Sequence, residues 1–158
     1  MDSNRTLILG LGNPILSDDR IGLDAARLVH QEINREDCDL IESQMVGPNI
    51  LDFICGYHTL LLIDAIKTKD GKSGDVYPLS LDDLPTIKRT NSPHNVGLAK
   101  TIAIGKRLGM PIPEVIRIYA IEVHDPFTFG EELTAVMQEL LPGIVKDILE
   151  KEKSLNAE

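Results

Sequence analysis

A chain of 158 residues is the size of one domain. Its 16 Lys and Arg against 25 Asp and Glu leave a formal net charge of −9, which opposes binding to phosphate backbones and to anionic membrane surfaces. The hydrophobic share of 42% is that of a globular domain and excludes a disordered chain.

The first segment, Thr6 to Leu11, is a short apolar run ending in Gly-Leu-Gly and reads as a buried strand. Neither it nor Met1 to Arg5 makes a signal peptide, because there is no basic start and glycine interrupts the run. Ile21, Ala25, Leu28, Val29 and Ile33 recur at helical spacing and predict a helix from Ile21 to about Glu32. Ser17, Asp18 and Asp19 precede it as N-cap material, with Asp18 favoured for that role. Cys38 to Ser43 predicts a second strand, and Pro48 to Cys55 a short helix stopped by Gly56. Thr59 to Ile66 is apolar on both faces until Asp64, as in the middle of a parallel sheet. Its run Leu60 to Ile63 is cut by that aspartate, so no membrane span is expected.

Asp75 to Leu79 predicts an edge strand, since Pro78 lacks the N–H that a central ladder needs. Leu81 to Pro93 reads as irregular, Asn95 to Leu108 as a helix stopped by Gly109, and Val115 to Ile121 as a strand. Leu133, Met137, Leu140, Ile144, Ile148 and their neighbours mark one face of a long final helix, which Pro142 should kink or split. Strands alternating with helices predict an α/β three-layer sandwich: a mostly parallel, twisted sheet of about five strands with helices on both faces, of the phosphorylase/hydrolase type. Residues 1–152 form one domain in this reading, and 153–158 a frayed tail. Cys38 and Cys55 make no metal-binding or disulfide pattern and are expected as free, buried thiols in a reducing cytoplasm.

Two partial nucleotide motifs fail. The fingerprint beginning at Gly10 and Gly12 would need a third glycine at position 15, which is Ile15, and the acidic pair in the same loop would repel phosphates. Gly71-Lys72-Ser73 would need a glycine at position 66, which is Ile66. There is no HExxH helix and no GxSxG elbow, and neither cysteine sits in a nucleophile setting, so a hydrolase reading requires a metal and water.

The informative polar residues fall at strand ends and helix starts. Asp19 follows the first strand, Asp64 closes the apolar third strand, and His94 opens a predicted helix. In an open parallel sheet the carboxyl ends of the strands share one edge, where ligands bind. Two carboxylates and an imidazole brought together there would suit a divalent transition metal with open positions. Each also has a structural reading: an acidic residue can cap a helix, a strand-end aspartate can hold a loop, and a histidine can simply be packed. Glu122 and His124 are reserve candidates at the same edge; His30 falls in a helix and His58 in a turn.

Three segments carry a family resemblance: Leu9-Gly10-Leu11-Gly12-Asn13-Pro14-Ile15-Leu16-Ser17-Asp18-Asp19-Arg20-Ile21-Gly22, Leu61-Leu62-Ile63-Asp64-Ala65-Ile66, and Ser92-Pro93-His94-Asn95-Val96-Gly97-Leu98. In order, spacing and length they resemble the hydrogenase maturation proteases, over about residues 6 to 150. Arg20 stands where many members carry a small residue, and Glu122 to Gly130 fits the family's late loop loosely. The resemblance implies an endopeptidase that cuts a C-terminal extension from the nickel-loaded large-subunit precursor of a [NiFe] hydrogenase. It implies Asp19, Asp64 and His94 as the metal-contacting and catalytic residues. The nickel would be supplied by the precursor, so the isolated site would be empty or hold another divalent ion. A monomer or weak homo-oligomer in the cytoplasm, with no nucleic-acid or membrane partner, completes the expectation. A non-catalytic nickel-binding assembly chaperone would use the same three residues. A shorter likeness, to the peptidyl-tRNA hydrolases, rests on Gly10 to Pro14 and His94 to Gly97; here Asn13 and His94 stand 81 residues apart, against that family's order, and the charge suits tRNA badly.

Overall fold

The computed structural model describes residues 4–44, 49–86 and 98–156. In chain order the elements are β1 (Thr6–Leu11), a 3-10 turn (Ser17–Arg20), α1 (Ile21–Ile33), β2 (Cys38–Ser43), α2 (Ile50–Ile54), β3 (Thr59–Ile66) and β4 (Val76–Leu79). A second 3-10 turn (Leu81–Thr86), α3 (Leu98–Arg107), β5 (Val115–Glu122) and α4 (Ala135–Asn156) follow. The strands form one sheet in the order β2-β1-β3-β5-β4. The first four run parallel, and β4 pairs antiparallel with β5 at the edge. Pro78 therefore sits on an edge strand, where its missing donor is tolerated.

Alternate residues of each strand face opposite sides of the sheet, and both sides are covered. On one side Ile8, Leu61, Ile63, Tyr119 and Ile121 pack with Ile21, Ala25 and Val29 of α1 and Met137, Ile144 and Ile148 of α4. On the other, Leu7, Leu9, Leu60, Leu62 and Ile118 pack with Ile50 and Ile54 of α2 and Leu98 and Ile102 of α3. That double covering is why β1 and β3 read as unbroken apolar runs rather than as alternating ones. The three-layer α/β architecture expected from the sequence is the one observed. α1 ends at Asn34, whose left-handed backbone (φ 46°) turns its N–H onto the His30 carbonyl at 3.0 Å.

Four expectations are corrected. Pro142 does not split the final helix, which runs unbroken from Ala135 to Asn156. Pro142 and Gln138 are exposed, so the Gln138 carbonyl left without a proline N–H partner faces water. Residues 153–156 are not a frayed tail, because the helix continues to Asn156. Glu152 is buried and accepts from Arg117 Nε (2.8 Å), Arg117 Nη2 (2.7 Å) and the Tyr119 hydroxyl, which fastens the last turns of α4 to β5. Asp18 does not cap α1, whose first turn has no side-chain cap. Its partners lie in the loop before α4. Among the described residues both cysteines are free, Cys38 buried and Cys55 half-buried rather than fully so. No helix of the described residues is long and apolar enough to cross a membrane. The starts of the predicted helices at Pro48 and Asn95, and the irregular stretch after Thr86, lie outside the described residues.

Candidate active site

The carboxyl edge of the sheet is assembled by close backbone contact. Leu11 ends β1 one residue beyond Gly10, which is in register with Ile63, so Leu11 lies level with Asp64 on the neighbouring strand. α1 meets this edge through Gly22. A methyl group there would stand 2.1 Å from the Leu11 carbonyl oxygen, 2.7 Å from that of Ile63 and 3.1 Å from the Asp64 Cα. Only glycine lets the helix approach so closely. Gly12 serves the returning loop in the same way, since a Cβ on it would stand 2.4 Å from the Asp19 carbonyl oxygen. The turn holding Asp19 is thereby pressed onto the end of β1, one helical turn ahead of the contact with Asp64.

The structure therefore brings two of the three predicted residues, Asp19 and Asp64, to one edge. Asp64 is fully buried, and its Oδ1 accepts from the Ala65 N–H at 2.8 Å. Asp19 is 6% exposed, and its Oδ2 accepts from the Asn13 N–H at 2.9 Å. The third, His94, lies outside the described residues. Among the described residues no group of three His, Cys, Asp or Glu side chains is placed to hold a metal ion.

Asp18 and Asp19 are neighbours with different tasks. Asp18 is fully buried and accepts from the Asp125 N–H (2.7 Å), the Thr134 N–H (2.8 Å) and the Thr134 hydroxyl (3.0 Å). Its backbone N–H donates to the Asp125 carbonyl at 3.0 Å. Asp18 thus anchors the loop from Val123 to Thr134 beside the site. Arg20 adds a second clasp: its guanidinium pairs with Asp24 at 2.9 Å and donates to the carbonyls of Pro14 (3.4 Å) and Glu131. Sequence reasoning missed both tasks, because the partners that reveal them, Asp125 and Thr134 for Asp18 and Glu131 for Arg20, lie more than a hundred residues away. The only local sign was a polar triplet too rich for a single cap.

The reserve candidates are placed differently. Glu122 is fully buried and accepts from the Thr68 N–H (2.9 Å), the Thr68 hydroxyl and the Tyr77 hydroxyl (3.1 Å). It organises the 67–77 loop. That loop and β4 enclose a cavity of about 610 Å³ lined by Ile66, Thr68, Asp70, Tyr77 and Leu79, at the end of the Asp64 strand. His124 is exposed. His30 contacts the Cys38 carbonyl at 2.9 Å and His58 pairs with Glu114 at 3.3 Å, so both are structural.

The family model described as hydrogenase maturation protease matches residues 25–151, most of the chain. The chain belongs to this family. The Hydrogenase 2 maturation protease of Escherichia coli (strain K12) is 28% identical over 101 residues, covering 63% of this chain and 62% of that protein. The chain thus aligns with somewhat under two thirds of that relative's length. Hydrogenase expression/formation protein HupD of Rhizobium leguminosarum bv. viciae is 23% identical over 145 residues, covering 90% of this chain and 71% of that protein. Among solved structures, the [NiFe] hydrogenase maturation protease HybD from Thermococcus kodakarensis superposes with a TM-score of 0.70 at 26% identity, covering 93% of this chain and 97% of that one. The hydrogenase maturating endopeptidase HybD from E. coli shares the fold, with a TM-score of 0.77 at 20% identity over 95% of this chain and 93% of that one. The sheet edge that carries Asp19 and Asp64 thus belongs to a hydrogenase maturation protease fold.

Proposed function

We propose that the chain is an endopeptidase that removes the C-terminal extension of a [NiFe] hydrogenase large-subunit precursor carrying nickel. Its family supports the class of reaction. The observation that carries the site is the Gly22 contact, which holds Asp19 one helical turn from the point where α1 meets Asp64 of β3. Carboxylate oxygens from these two residues, with an imidazole nitrogen from His94, suit a divalent transition metal. Carboxylates held largely out of water gain more from a divalent cation than exposed ones do. The nickel is part of the substrate, so a precursor without it lacks the contact that seats it, and only a loaded precursor is cut. One carboxylate takes the proton of the water that attacks the peptide bond. In the free protein the same residues bind divalent ions weakly. The protein works as a monomer or weak homo-oligomer in the cytoplasm.

The test uses nickel-loaded precursor with pure protein. Replacing Asp64 or Asp19 by Asn leaves the precursor at full length, with circular dichroism and melting unchanged. Wild-type processing by either variant removes that residue from the mechanism. A stable complex of the wild-type protein with uncut precursor identifies a nickel-binding chaperone instead.

A further inference from the structure

The loop anchored by Asp18 displays the most exposed aromatic ring of the described residues. Phe129 is 80% exposed and Phe127 is 53% exposed. Ile15, on the adjoining loop, is 50% exposed, and Val136, in the first turn of α4, is 44% exposed. A chain with 3 phenylalanines thus leaves two of them in water at one place. Exposed clusters of this kind mark contact surfaces, because each aromatic ring forgoes a large gain from burial.

The backbone beneath these side chains is fixed. The two loops join as a parallel bridge, Leu16 with Gly130. In it the Ser17 N–H donates to the Gly130 carbonyl (3.0 Å) and the Gly130 N–H donates to the Ile15 carbonyl (2.9 Å). Asp125 accepts from the N–H groups of Phe127 (3.0 Å) and Thr128 (3.1 Å) and from the Thr128 hydroxyl (2.5 Å). A surface ordered before contact loses little entropy on docking.

Resting on the function proposed above, we propose that Ile15, Phe127 and Phe129 form a preformed docking surface for the precursor segment around the bond that is cut. The surface is continuous with the site: Ile15 is four residues before Asp19, and between the bridge and Asp19 lie only Ser17 and Asp18, the second of which holds the Phe loop. The exposed Glu131 and Glu132 follow the loop in a chain of net charge −9, so the occupant presents apolar side chains with basic rather than acidic neighbours. A second copy of this chain carries the same negative charge and fits less well.

The experiment compares Phe127→Ser, Phe129→Ser, the double variant and Phe129→Leu with wild type on nickel-loaded precursor. Leu108→Ser is the control: Leu108 is 71% exposed just after α3, on the way to the amino end of β5 at Val115. The double variant raises KM about tenfold and leaves kcat within about twofold. Phe129→Leu recovers much of the loss, Leu108→Ser changes nothing, and the double variant binds precursor equally weakly when built on Asp64→Asn, where no cutting occurs. An unchanged KM in the double variant, with Asp64→Asn inactive, overturns the docking surface and leaves the proposed function standing. Failure of the wild-type protein to cut the precursor overturns both. A wild-type dimer in sedimentation that Phe129→Ser dissociates overturns it in favour of a second copy.

Discussion

Replacing Gly22 by Ala tests how the edge is built. The added methyl would stand 2.1 Å from the Leu11 carbonyl oxygen, where ordinary contact begins at 3.4 Å, and 2.7 Å from that of Ile63. Both obstacles are backbone of central strands, so α1 rather than the sheet must retreat, by about 1 Å. Overpacking of this kind costs typically about 1–3 kcal/mol and occasionally more. Alanine's better helix propensity returns at most about 1 kcal/mol. An overlap with backbone this severe takes the upper part of that range, so the net cost is about 1–2 kcal/mol, and at roughly 2–4 °C per kcal/mol for a chain of this size Tm falls by about 2–8 °C. Processing falls further, by about a hundredfold, because a shift of about 1 Å takes Asp19 away from Asp64. Differential scanning calorimetry and a precursor-cleavage assay read the two effects. A variant that melts with wild type refutes the close contact. One that melts early but cleaves at full rate refutes the claim that α1 sets the site.

Replacing Asp18 by Ala strands buried N–H groups of Asp125 and Thr134 and destabilises by about 2–4 kcal/mol; hydrogen exchange at both amides rises well before global unfolding. Arg117→Ala leaves the Glu152 carboxylate buried without its cation, costs about 3 kcal/mol and frees the last turns of α4, seen as loss of exchange protection beyond Glu150. The Asp39 carboxyl is held below the usual aspartate range by the Tyr57 hydroxyl, which donates to it at 2.7 Å, and by the Arg5 guanidinium. Its ionised form therefore adds stability above the ordinary carboxylate pKa, and that stability is lost as pH falls through the lower, folded-state value. Asp39→Asn shows a shallower loss of Tm on acidification than wild type, read by melting below pH 5.

Much of the architecture was legible because local rules sufficed. β3 announced itself as a doubly covered strand by running apolar up to Asp64, and β4 as an edge strand by Pro78. The spacing of Ile21, Ala25 and Val29 marked the buried stripe of α1. What stayed hidden depends on distant partners. Asp18 reads as a helix cap until Asp125 and Thr134 are seen beside it, 107 and 116 residues on. The last turns of α4 depend on Arg117 and Tyr119 of β5 reaching Glu152. Pro142 reads as a kink or a break, and the break is absent because Pro142 lies on the exposed side of the helix, which the sequence does not say. Of the site, the strand-end rule found the Asp19 and Asp64 edge. It gave no hint of the Phe127 and Phe129 display, because exposed apolar residues in a loop have no periodicity to betray them.

The Val123 to Thr134 loop is tied down mostly through its main-chain amides and carbonyls, with Asp18, Asp125, Arg20, Ser17 and Lys67 among the side-chain fasteners. Positions 127 and 129 take no part in that fastening through their side chains. Their identities can therefore change without loosening the backbone that packs beside the Asp19 and Asp64 edge; under the docking role proposed above, re-lettering two residues would change which apolar segment the loop receives.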